Sequence, residues 1–183
     1  MQLKNEICEV TIELDSTYKL GSADNKNNYN VVLNPNLYTE YYSILNIKVN
    51  FADKELDIIL VGEYPSYDDN CAILDNNILT ILTNNAVTQI DVTNGNIVKN
   101  IKLSNRDYTF AIYKVDNARF LIIGEQYIRM LDNNLSEIWK FKGKDIFASI
   151  SNKKVFEICN DRIKLYDFED NYYELDFNGK QIN

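Results

Sequence analysis

Carboxylates are the side chains of this chain best supplied for chemistry. Glu63, Asp68 and Asp69 fall close together with Tyr64 and Tyr67, in a stretch broken by Pro65. A pair of carboxylates at a suitable separation is what glycoside hydrolysis asks of a protein, and loops carry function more often than strands do. A second set, Asp91, Asp132 and Asp167, recurs at intervals of 41 and 35 residues, each at the end of an apolar run. That position suits an Asp that caps its own turn better than one that reacts. Histidine is absent altogether, which removes the commonest general base, the commonest transition-metal ligand and every His-containing triad.

Other chemistries lack their residues. The three cysteines, Cys8, Cys71 and Cys159, are odd in number and far apart, so they read as reduced thiols, not a disulfide framework or a Cys-x-x-Cys metal site. Residues 24–30, DNKNNYN, have Lys26 at the third place of a calcium loop and no glycine at the sixth, and read as a polar loop. There is no GxGxxG or GxxxxGK[ST], and six glycines leave little material for a phosphate cradle. Lys140, Lys142 and Lys144 beside Trp139 and Phe141 read as an exposed strand face, too small a basic stripe for nucleic acid. No metal and no cofactor are expected.

Charge is segregated. Of a net charge of −8, residues 1–70 carry −7, from 5 Lys and no Arg against 12 Asp and Glu, while residues 71–183 are nearly balanced. Such a field repels nucleic acid and anionic lipid and attracts basic partners. Seven tyrosines lie in the same 70 residues: Tyr18, Tyr29, Tyr38, Tyr41, Tyr42, Tyr64 and Tyr67. Tyrosine is favoured at protein interfaces, because it offers large contact area at small entropic cost.

The elements that must position these residues are strands. Short apolar or alternating runs are bounded by Asn, Asp and Gly, and no window has a helical stripe. Cys8, Val10, Ile12 and Leu14 face one way against Glu9, Thr11 and Glu13; Leu45, Ile47, Val49 and Phe51 repeat the pattern. Strands are expected near 6–14, 29–33, 42–51 and 56–61. From residue 71 they come in sets of four: 71–74, 78–82, 86–92 and 97–103; then 108–113, 119–123, 127–131 and 136–141; then 146–150, 154–158, 162–166 and 171–177. Short linkers make each set an antiparallel meander. Asn94-Gly95 and Asn178-Gly179 are expected as tight hairpin turns with both central residues at positive φ, and Asp132-Asn133-Asn134 as their counterpart.

These repeats resemble those of quinoprotein-type β-propellers. The likeness lies in Gln89-Ile90-Asp91, Thr93-Asn94-Gly95 and Ile97-Val98, and in Met130-Leu131-Asp132 with Glu137-Ile138-Trp139-Lys140-Phe141. It covers about residues 71–183 and implies a propeller fold in which Trp139 packs between blades. Lys99 stands near the tryptophan position of the first copy and Tyr172-Tyr173-Glu174 replaces it in the third. Nothing resembles a quinone-binding set.

The expected fold is all-β: a propeller-like array of four-stranded antiparallel meanders with a divergent N-terminal β element, a β-sandwich being the alternative. The expected parts are an acidic element at 1–70 and three repeats at 71–105, 106–144 and 145–183. The expected function is non-enzymatic: a cytoplasmic protein-binding module of bacterial type. In its most concrete form it is an immunity-type inhibitor that blocks a basic toxin such as a nuclease. The partner-binding residues would be Glu40, Tyr41, Tyr42, Asp53, Glu55, Asp57, Glu63, Tyr64, Tyr67, Asp68 and Asp69. Alternatives are a carbohydrate-binding or glycoside-cleaving propeller and a scaffold subunit of a larger propeller.

Overall fold

The computed structural model describes residues 1–63, 70–103, 107–149 and 154–183, and among them there are strands and turns but no helix. The chain divides into two compact units, Met1–Leu103 and Ser104–Asn183.

The first unit holds two sheets. Sheet 1 comprises β1 (Gln2–Lys4), β2 (Glu9–Leu14), β3 (Val31–Leu33), β4 (Ser43–Asn50) and β5 (Glu55–Gly62), in the order β1-β2-β4-β5-β3. The first four are antiparallel neighbours, and β3 adds to the edge of β5 in parallel. Sheet 2 is the meander β6 (Ala72–Asp75), β7 (Ile78–Thr83), β8 (Ala86–Asp91) and β9 (Asn96–Lys102). Strict alternation buries Val10, Ile12, Leu45, Ile47, Val49, Ile58 and Leu60 of sheet 1 against Leu79, Ile81 and Ile90 of sheet 2. The N-terminal element is thus itself a four-stranded meander, with residues 15–42 inserted between its second and third strands.

The second unit repeats the scheme. Sheet 3 is β10 (Thr109–Asp116), β11 (Arg119–Gly124), β12 (Ile128–Asp132) and β13 (Glu137–Phe141); sheet 4 is β14 (Phe156–Ile158), β15 (Arg162–Tyr166) and β16 (Tyr172–Asp176). Leu121, Ile123, Ile128 and Met130 pack with Ile163, Leu165, Tyr173 and Leu175.

Sheet 4 corrects the expected third set, because residues 146–149 form no strand; residue 150 lies outside the described residues. Their apolar content serves another purpose. The Phe147 amide donates to the Glu125 carbonyl at 2.6 Å, and its ring is buried in the core of the unit. An apolar run read by composition as a strand is here a loop that plugs the core.

The recurring Asp is a turn cap. At Asp132, Asp167 and Asp176 the backbone carbonyl accepts the amide of the residue three on, at 2.9, 3.0 and 3.0 Å. Their carboxylates accept the amide four on: Ser136 at 2.8 Å, Asn171 at 2.9 Å and Lys180 at 2.9 Å. The third residue takes a left-handed backbone: Leu135 at φ 55, Asp170 at φ 62, Gly179 at φ 80. Asn34 makes the same pair of bonds, to the amides of Leu37 (3.2 Å, φ 58) and Tyr38 (2.9 Å). Asp91 uses a longer variant that closes on Gly95 at φ 75.

The turns therefore differ from the expected tight hairpins, since neither Asn94 nor Asn178 is at positive φ and Leu135, not an asparagine, takes it in the middle copy. A side-chain acceptor closing the loop lets even Leu adopt a conformation that otherwise costs about 1–2 kcal/mol.

Two further repeats were not visible as sequence. A bulge stands beside Ile90 and again beside Leu131, in each case one residue before the capping Asp, and it turns Val98 and Ile138 out to solvent. Past the bulges, Gln89 pairs Lys99 and Met130 pairs Trp139, so Lys99 occupies the tryptophan position. The Trp139 indole donates to the Phe177 carbonyl at 3.1 Å, and a Cβ on Gly179 would lie 2.6 Å from its ring. Gly179 is thus required by both its φ and its neighbour.

Leu37 and Leu135 share a backbone but not an environment: Leu37 is 81% exposed and Leu135 2%. Leu37→Gly relieves the left-handed cost with little packing to lose, for a net gain of up to about 1 kcal/mol after the entropy of glycine. Leu135→Gly loses a buried side chain as well and is destabilising, by about 2 kcal/mol. Urea unfolding followed by circular dichroism checks the opposite signs.

Candidate protein-binding surface

Sheet 1 turns its second face away from sheet 2. Toward the start of β4 and end of β5 this face is apolar, with Ile44, Ile59 and Val61 buried under Tyr18, Leu20, Tyr29, Tyr38 and Tyr42 of the inserted segment, a strap over residues 15–42. Toward the other end the alternation places Glu9, Thr11, Glu13, Lys48, Glu55 and Asp57 on it. Lys4 pairs Glu9 and Lys48 pairs Glu55, each at 3.5 Å.

Asp15 anchors the strap. Its carboxylate accepts the Thr17 amide (2.8 Å), the Thr17 hydroxyl (2.6 Å), the Tyr18 amide (3.1 Å) and the Tyr29 hydroxyl. Burial acts to raise its pKa, but the hydrogen bonds from Thr17 and Tyr29 win and hold it well below the usual carboxylate range. Burial and the Asp15 charge push the Tyr29 hydroxyl up to about 12. Tyr18 meets Tyr29 edge to face with ring centroids 5.3 Å apart. Asn25 fixes the main chain of Lys19 from both sides, at 2.8 and 2.7 Å, and Asn34 closes the turn before Tyr38.

The residues singled out in the sequence separate into two groups. Ser43 pairs Gly62 and Asn50 pairs Glu55, so Glu40, Tyr41, Tyr42 and Glu63 lie at one end of the β4–β5 hairpin and Asp53 and Glu55 at the other, about 23 Å away. Asp57 is half-buried between them on the outer face. Tyr64, Tyr67, Asp68 and Asp69 lie outside the described residues.

At the first end Glu63 is engaged: its carbonyl accepts the Asn84 amide at 2.6 Å and its carboxylate the Asn84 side chain at 3.2 Å. Tyr42 lies in the strap core, its hydroxyl accepting the Leu20 amide at 3.3 Å. Of the tyrosines expected to bind a partner, Tyr42 thus belongs to the strap's own core, together with Tyr18, Tyr29 and Tyr38. Tyr41 differs: it is 93% exposed, and its φ of 54 belongs to no Asn34-type turn.

A recess of about 450 Å³ opens here, lined by Leu14, Asp15, Tyr18, Lys19, Tyr41 and Tyr42 among others. Leu14, expected in the core, is half exposed, because the strand ends there and the chain turns into the strap.

Sequence reasoning gave no signal for one cluster in the second unit. Buried Arg129 pairs Asp107 at 3.3 Å and Glu137 at 2.6 Å, and its guanidinium lies 4.8 Å from the centre of the Tyr127 ring. Burial pushes the Asp107 carboxyl up, opposed by the Gln126 amide and Arg129. Among the described residues no group of three or more His, Cys, Asp or Glu is arranged to hold a metal, and no helix is long and apolar enough to cross a membrane.

With this geometry in view, comparison with solved structures places the fold. BamB from Moraxella catarrhalis is similar at a TM-score of 0.52 and 13% identity, over 78% of this chain and 45% of that one. Raptor from Chaetomium thermophilum gives 0.50 and 12%, over 76% of this chain and 14% of that one. The chain thus spans less than half the length of either. No protein-family description matches the sequence, and no curated protein does. The chain has an all-β, propeller-type fold.

Acid is expected to weaken both the strap anchor and the Asp-capped turns. Carboxyls depressed by folding, Asp15, Asp91 and Asp167, contribute stability that is fully present above the ordinary carboxylate range and is lost progressively as pH falls below it, through the lowered values of the folded state. The expected melting temperature is insensitive to these groups between pH 7 and about 5 and falls below about 4. In Asp15→Ala the melting temperature is lower at pH 7 and its acid slope shallower, read by thermal melts across a pH series.

Proposed function

We infer that the chain is a non-enzymatic, cytoplasmic protein-binding module that takes a basic partner. In its most concrete form it is an immunity-type inhibitor that occludes the active site of a basic bacterial toxin such as a nuclease, its carboxylates standing in for phosphate charge. The observation that carries this is the placement of the charge: residues 1–70 hold 12 acidic side chains against 5 lysines. Those placed by β2 and β5, Glu9, Glu13, Glu55 and Asp57, stand on the face turned away from sheet 2. Rim charges of this kind steer encounter and set its salt dependence more than they set affinity.

The Asp-capped turns, the two bulges and the Trp139–Gly179 contact support reading residues 71–183 as quinoprotein-type repeats used as scaffold. A second interpretation, a scaffold subunit of a larger propeller, is favoured by the 45% coverage of BamB. Solution mass separates it from the first, because a subunit of a ring self-associates and a free inhibitor stays monomeric.

Purified protein mixed with a panel of basic nuclease toxins tests the inhibitor reading. The expected result is a complex whose association rate falls at least tenfold between about 20 and 200 mM salt, and loss of nuclease activity in the complex. No complex at low salt, with no protection of cells expressing the toxins, would sink it.

A further inference from the structure

We propose that the recess at the base of the strap is a docking pocket for a single arginine or lysine side chain of a basic protein partner. This rests on the protein-binding reading above and gives it a place.

The lining suits a cation on an aliphatic stem. Tyr18, Tyr41 and Tyr42 supply aromatic surface and Leu14 an exposed apolar patch, around a volume of about 450 Å³. Long cationic side chains lay their methylenes on such surfaces and hold the charged head beside ring faces and carboxylates. Asp15 supplies a carboxylate in the lining that stays ionised, because Thr17, Tyr18 and Tyr29 all donate to it. Glu13 and Glu40, both exposed, adjoin Leu14 and Tyr41 in the chain. Lys19 is the one cation among the lining residues and offsets Asp15, so the negative balance around the recess comes from the adjoining Glu13 and Glu40.

Tyr41 distinguishes this end of the hairpin from the other. Its ring is held in solvent on a left-handed backbone that the strap's own turn does not require. The opposite end already carries its own cations: Lys48 pairs Glu55 at 3.5 Å, and Lys54 lies 4.8 Å from the centre of the Phe51 ring. A partner's cation finds free aromatic surface beside Tyr41 and competition beside Glu55.

The test uses the full chain and a fluorescein-labelled nona-arginine peptide, followed by anisotropy at low salt against a neutral Gly-Ser peptide. Circular dichroism confirms that each variant is folded. Tyr41→Leu and Glu40→Gln are expected to weaken binding about threefold to fivefold, the scale of one exposed cation–π contact or charge. Tyr41→Phe keeps the ring and is expected to bind as the natural chain does, and Glu157→Gln, at an exposed position of β14, to change binding less than twofold. Equal losses in Tyr41→Leu and Glu157→Gln, or a loss in Glu157→Gln alone, overturn the pocket and leave the protein-binding reading standing. No preference of the natural chain for nona-arginine over the neutral peptide overturns both.

Discussion

Every strand of a meander ends by leaving amides and carbonyls that must find partners, and in this chain one solution is used again and again. A side-chain oxygen of Asp or Asn takes the amide four residues on while its own carbonyl takes the amide three on, as at Asn34, Asp132, Asp167 and Asp176. The loop so closed has one length and one left-handed residue, which fixes the register of the strand that follows. A bulge accompanies the turn at Asp132 and the longer one at Asp91, but not the turn at Asp167, and past the bulge of sheet 3 Trp139 lies against Gly179. Gly95 is brought equally close to Val31, where a Cβ would lie 2.7 Å from a side-chain methyl. Packing between sheets therefore inherits its geometry from hydrogen bonds in the turns.

Much of this architecture was legible because period-two burial and a recurring Asp are both local signals. Val10, Ile12, Leu45, Ile47 and Val49 alternate in sequence and do so in the core. Where the sequence misled, a long-range partner had outbid local pattern. Residues 146–149 are apolar enough for a strand, yet the amide of Phe147 is taken by Glu125 of a distant loop. The parallel pairing of β3 with β5 and the bulged residues Val98 and Ile138 depend on tertiary register, which spacing alone does not carry.

The candidate surface was legible only in part, for a related reason. Tyrosine count and acidity pointed to the first 70 residues, but composition cannot say which face a side chain joins. Tyr18, Tyr29, Tyr38 and Tyr42 are spent on covering Ile44, Ile59 and Val61, and among the described tyrosines of this stretch only their neighbour Tyr41 is turned outward. Asp15, which organises the strap, looked like any other acidic residue until its donors were in place. Arg129 and Asp107 lie 22 residues apart and give no motif, because a buried ion pair is defined by distance in space.

The strap has a consequence for how the molecule assembles itself. β10 and β11 are joined by a turn at Asn117 and Ala118, whereas β2 must find β4 across the whole of residues 15–42 before any of their pairs form. Closing the longer loop costs more entropy at the outset, and pairings of large sequence separation are the slow ones in folding. Sheet 3 can zip from its hairpins, while sheet 1 waits for its strap. Until β4 meets β2, the apolar faces of β4 and β5 that end up against sheet 2 have lost their neighbour on that side, and it is there that a newly made chain is most exposed to wrong pairing.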